Sequence, residues 1–234
     1  MVSDTVEEGG GFSAVVRALE YSRTVYKNIL RMVSYLTTSQ LARIFAVFGA
    51  LLLGVTALTP MQLIFGGLIV DLAAMIASAF SRPPRSVLSL RDNTEQALSK
   101  PFTVNLRAVL FAMFQAATVL AMHPIMGLLG FTFTPEQFST AVFIAFTVCQ
   151  FITFAELASE RSIFRSGMRI SLSFVLFFAG IAGFIALALL VPSVGDVFDT
   201  VMITPPLAIG CLVSAALTLA VNEIYKLIAG QDKK

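Results

Sequence analysis

Six stretches of this chain are each long and apolar enough to cross a lipid bilayer, and no other feature constrains its fold as tightly. A spanning helix needs roughly twenty mostly apolar residues, and it must satisfy every backbone N–H and C=O internally. The runs Ser34–Leu58, Met61–Phe80, Asn105–Gly130, Pro135–Ala158, Met168–Val191 and Pro205–Leu227 meet that requirement. Composition agrees: 57% of the residues are hydrophobic, 13% are charged and the mean hydropathy is +0.85, well outside the balance of a soluble domain. The expected fold is all-α, a polytopic bundle of six transmembrane helices with the lipid bilayer as its solvent.

An even number of spans leaves both termini on one side. The links Thr59–Pro60, Phe131–Thr134 and Pro192–Thr204 carry no Lys or Arg, whereas the N-terminal segment and the links Ser81–Thr103 and Ser159–Gly167 carry many. The positive-inside rule then predicts cytoplasmic termini. The expectation is an integral protein of the plasma or inner membrane, divided into a stalk at 1–33, a membrane domain at 34–230 and a tail at 231–234. The first apolar run starts only near Val33, so no cleavable signal peptide is expected. A net charge of +2 gives no footprint for nucleic acid.

Ahead of the first span, Phe12, Val15, Val16, Leu19 and Tyr26 recur at helical intervals among Arg17, Glu20, Arg23 and Lys27. The pattern predicts an amphipathic helix that extends the first span into the cytoplasm. An apolar stripe there calls for a cover: a second copy, a partner subunit, the bilayer surface or the chain's own loops.

Two charges fall inside the spans, Arg43 in the first and Asp71 in the second. Each lies about 14 Å from the basic end of its helix at 1.5 Å per residue, a depth that permits a direct pair. Charge at such depth costs roughly 2.5 to 3.5 kcal/mol on insertion scales, so it is paired or functional. Gln40, one turn from Arg43, and Gln150 on the fourth span are placed to join it, and Gln115 is a weaker candidate. The pair reads equally as a helix-packing device and as a proton-linked or cation-linked centre. Cys149 and Cys211 read as core residues and His123 as an interfacial one. No spacing among them suggests a metal site or a cofactor.

The order of these features resembles a known family. The segment FSAVVRALEYSRTVYKNILRMVSYL resembles the stalk and the start of the fifth transmembrane helix of P-type cation-transporting ATPases. LTPMQLIFGGLIVDLAAMIASAF followed by RPPR resembles the sixth helix, with Asp71 as its ion-site aspartate. SERSIFR and VNEIYKL resemble the link after the eighth helix and the end of the tenth. The resemblance implies helices five to ten of such a pump.

Carried over residue by residue, the calcium pumps of the family set an Asn and a Glu where this chain has Gln40 and Arg43. They set an Asn and a Thr where it has Gly67 and Val70, and a carboxylate at Gln150. Asp71 alone is kept. An arginine facing an aspartate is instead similar to the family's proton pumps, where the aspartate carries the proton. The phosphorylated Asp-Lys-Thr-Gly loop, the nucleotide-binding and actuator domains and the first four helices have no counterpart in these 234 residues. The expectation is therefore a module that is not an enzyme alone, acting by self-association or as subunit or regulator of a separate pump. The alternatives are proton or monovalent cation conduction around Arg43 and Asp71, and a fragment of a longer ATPase.

Overall fold

The computed structural model describes residues 12–79, 101–158 and 172–228, and every regular element among them is helical. In chain order these are α1 (Phe12–Leu53), α2 (Pro60–Ile64), a π-helical segment (Phe65–Val70), α3 (Asp71–Ala79), α4 (Pro101–Leu120), α5 (Met122–Leu128), α6 (Pro135–Ala158), α7 (Leu172–Leu190), α8 (Pro192–Phe198) and α9 (Pro205–Ile228). Five helices are long and apolar enough to cross a membrane, and α7 with α8 makes a sixth if the bent pair counts as one span.

Stalk and first span form one helix of 42 residues, about 63 Å long. It ends at Gly54, whose φ of +69° suits a residue without a Cβ. There the Gly54 and Val55 N–H groups bond back to the Leu51 and Ala50 carbonyls, satisfying the last turn. Val15 and Leu19 are exposed while Val16 and Tyr26 are half-buried; the side chain of Phe12 lies outside the described residues.

Three spans depart from straight helices, each for a local reason. Thr59 and Gln62 form a reciprocal capping box that starts α2, and the helix then widens into the π turn across Gly66 and Gly67 before α3 resumes. The third span breaks at Ala121 near Pro124, which has no N–H to continue the ladder. The fifth stops at Leu190, before Pro192, and the chain turns by 104° into α8, so the expected link Pro192–Thr204 is partly helical.

The core runs between α1, α4, α6 and α9. Buried residues on α1 and α4 are small, including Ala42, Ala46 and Ala50 on one and Ala108, Ala112 and Ala116 on the other, which lets the backbones approach closely. Contacts along α6 and α9 fix a parallel register. The Cys211 thiol meets the Ala141 carbonyl at 3.3 Å, the Thr218 hydroxyl meets the Cys149 sulfur at 3.4 Å, and Lys226 pairs with Glu156. Steps of seven or eight residues on each helix are those of a parallel coiled-coil seam.

At the end of the bundle remote from the stalk, Gln62 donates to the Phe198 carbonyl at 3.2 Å and accepts from the Ser139 hydroxyl at 3.0 Å. Below it Phe65 stacks on Phe184 at 4.4 Å and meets Phe143 and Phe198 edge-on. Gly195 holds the α7–α8 bend closed, because a Cβ there would lie 2.9 Å from the Ala188 carbonyl oxygen and 3.0 Å from that of Thr200. Backbone cannot yield as a side chain can. Gly195→Ala is therefore expected to destabilise the fold by about 1 to 3 kcal/mol. Gly180→Ala, where a Cβ meets nothing within 4 Å, leaves the thermal midpoint in detergent unchanged or higher.

Candidate functional site: a carboxylate closed by an internal guanidinium

Asp71 is the first residue after the π turn and is 1% exposed. Its partners come mainly from α1, where Tyr35, Ser39 and Arg43 recur every fourth residue and so stack along one face. The Tyr35 hydroxyl donates to Oδ1 at 3.0 Å and the Ser39 hydroxyl to the same oxygen at 2.9 Å. The Gln40 amide donates to Oδ2 at 2.8 Å. Arg43, itself buried, closes the set with a fork of two bonds, Nη1 to Oδ2 at 2.7 Å and Nη2 to Oδ1 at 3.1 Å. Five donated hydrogen bonds therefore meet a group with about four lone-pair sites. No acceptor capacity is left for a further cation.

The guanidinium is fixed in turn. Arg43 Nη2 also donates to Gln150 Oε1 on α6 at 2.8 Å. Its plane lies against the π turn: a Cβ on Gly66 would come within 3.1 Å of Arg43 Nε, whereas one on Gly67 would stand at an ordinary 3.7 Å from Arg43 Nη1. Gly66 thus makes room for the arginine. A bidentate, charge-assisted pair of this kind is the strong form of the interaction and specifies geometry as well as energy.

All four candidates proposed from the sequence, Asp71, Arg43, Gln40 and Gln150, are in one connected cluster. Gln115 is buried but stands apart from it, and its amide nitrogen has no hydrogen-bond partner among the described residues. His123 sits edge-on to Phe133 and Phe138 at 5.4 and 5.1 Å, and no group of His, Cys, Asp or Glu among the described residues is arranged to hold a metal. Tyr35 and Ser39 are the partners that sequence reasoning missed; their spacing of four from Arg43 was the available signal. Glu156 was missed as well, as was its partner Lys226, which is 5% exposed.

Residues 55–228, from the turn after α1 to the end of α9, match the family described as cation transporting ATPase, C-terminus. The chain belongs to this family. Among its relatives, the plasma membrane calcium-transporting ATPase mca-1 of Caenorhabditis elegans is 27% identical over 97% of this chain and 19% of its own length. Calcium-transporting ATPase 12, plasma membrane-type, of Arabidopsis thaliana is 28% identical over 63% of this chain and 14% of its own length. The chain thus spans less than a fifth of these relatives. Arg43 lies ahead of the family match, in the helix that the mca-1 alignment reaches.

Removing one partner of a buried pair leaves an uncompensated charge. Arg43→Met is expected to cost about 3 to 5 kcal/mol by that argument. The double substitution Arg43→Met, Asp71→Leu should recover most of the loss, because it removes both charges. Thermal denaturation of the four proteins in one detergent reads the cycle, and additive losses would show that the pair is not coupled.

Proposed function

We propose that this chain is a non-catalytic membrane module of the cation-transporting ATPase type, acting through association rather than by binding calcium. The observation that carries the reading is the occupancy of Asp71. A calcium ion takes six to eight oxygen ligands. Here the one carboxylate at that depth is filled by donors, and a guanidinium stands where a cation would need to sit. The relatives' names assign them calcium transport; the site in this chain supports a tethered arginine in the role of the cation.

Association is supported by the exposed residues of α1 ahead of the span, Val15, Leu19, Tyr21, Val25 and Ile29, which have no cover among the described residues. Apolar side chains spaced along one helix beyond the bilayer are suited to a second copy or to the soluble part of an ATPase subunit. The relatives' plasma membrane designation and the basic links support a plasma-membrane location with cytoplasmic termini.

A second reading, passive conduction of protons or monovalent cations, is favoured by one observation: the ionised pair bridges two adjacent spans in mid-bundle. Its test is flux in proteoliposomes with Asp71→Asn, which keeps the size of the side chain and removes its charge.

The leading reading predicts no saturable calcium binding by equilibrium dialysis of the nanodisc-embedded chain. It also predicts a mass above one copy, or co-purification with a cation ATPase, in mild detergent. Calcium binding by a chain that runs only as a monomer would overturn it.

A further inference from the structure

Two buried amides at the depth of Arg43 carry N–H groups that nothing receives. Gln150 turns its Oε1 to Arg43, which can only donate, so its Nε2 is directed away from that bond. This nitrogen is buried without a hydrogen-bond partner among the described residues, and the same holds for Gln115 Nε2 on α4. Both residues are 2% exposed.

Contacts on two sides of α4 put the two amides at one level. α1 and α4 are the first and third spans and run the same way, and a Cβ on Gly49 would meet Leu120 Cδ1. Gln115, five residues before Leu120, is then level with Ile44 and so with Arg43. On the other side, the Ser214 hydroxyl of α9 reaches the Thr118 carbonyl at 3.3 Å, and Thr218, one turn further along α9, reaches Cys149 Sγ at 3.4 Å. α9 runs opposite to α4, so Gln115, one turn before Thr118, is level with Thr218 and hence with Cys149 and Gln150 on α6. At about 100° per residue, Gln115 also falls between the face of α4 that meets α1 at Leu120 and the face that meets α9 at Phe111 and Thr118. It is directed inward, toward α6.

The hydroxyls at this level already have acceptors. Thr118 donates to the Gln115 carbonyl at 3.0 Å, Thr218 to the Ser214 carbonyl at 2.9 Å and Thr153 to the Cys149 carbonyl at 2.9 Å. Two amide donors are left over, and a buried donor without an acceptor is costly, so the pair calls for a small group that accepts from both. Donors repel a cation. An anion has no unmatched positive charge to hold it, because Arg43 is paired with Asp71. Water accepts two hydrogen bonds and donates two, and the second lone pairs of the neighbouring carbonyls and hydroxyls can receive its protons.

We propose that Gln115 and Gln150 bind one water molecule between α4 and α6, at the depth of Arg43. The water accepts from both Nε2 groups and completes a hydrogen-bonded chain from Asp71 through Arg43 and Gln150 to Gln115. That chain joins the first four spans. The site rests on these two amides and does not require the association or the conduction considered above.

The test is water-edited, proton-detected solid-state NMR of the full chain in lipid bilayers, with glutamine nitrogen-15 labelled. Magnetisation selected on water protons is expected to reach the Gln115 and Gln150 side-chain amides at mixing times when the amide of Gln62, buried and donating to the Phe198 carbonyl, has received none. In Gln115→Met, which keeps the length of the side chain and removes its donor, the transfer to Gln150 should be lost. Thermal melts establish that the variant is folded. Absence of transfer to both amides in the unsubstituted protein overturns the proposal, as does transfer to only one of them, or transfer to Gln150 that survives in Gln115→Met. Should that variant not fold, the unsubstituted protein decides it, because one water between the two amides must feed both.

Discussion

A carboxylate held in hydrocarbon must be neutralised where it sits, and much of this bundle is arranged to do that for Asp71. Its position after the π turn directs it toward α1, where residues at intervals of four supply two hydroxyls and a guanidinium. α6 must stand at a depth where Gln150 reaches the far side of that guanidinium. The turn opposite Arg43 must lack a Cβ at Gly66. Move any one of these elements by a residue and a charge loses its partner, at a cost comparable with a good fraction of a domain's stability.

The remaining contacts hold that geometry from both ends. Beyond the ion pair, four phenylalanines and the Gln62 network join α2, α6 and the α7–α8 bend. Toward the stalk, the α6–α9 seam ends in a second buried pair, Glu156 with Lys226. Lipid gives no hydrophobic drive for helix association, so small residues and polar contacts of this kind carry the packing. Each of the two buried carboxyls is matched by a cation from another helix, Arg43 for Asp71 and Lys226 for Glu156.

Much of this was legible in the sequence. Apolar run length locates the spans because the bilayer sets their length, and equal depth on neighbouring spans makes Arg43 and Asp71 candidates for a pair from the sequence alone. The hydroxyls of Tyr35 and Ser39 were not legible, since their roles depend on how far α1 is rotated about its axis. Lys226 reads as a terminal basic residue until α6 is known to run parallel to α9 with Glu156 beside it. The 104° bend after Leu190 was hidden as well, because a proline after an apolar run marks where a helix stops and not where the chain goes next.

Membership of the cation-transporting ATPase family explains the arrangement of helices, and function has to be argued from the site. Its central feature is a buried carboxylate whose acceptor sites are filled by side chains of the same chain. The most direct measurement is the distance between the Arg43 guanidinium nitrogens and the Asp71 carboxyl carbon, read by nitrogen–carbon dipolar dephasing in lipid bilayers, with Arg43→Lys to assign the signal. Strong dephasing that disappears in Arg43→Lys, and that calcium in the buffer leaves unchanged, is the predicted result. Weak dephasing in the unsubstituted protein, or dephasing that calcium abolishes, would contradict the account.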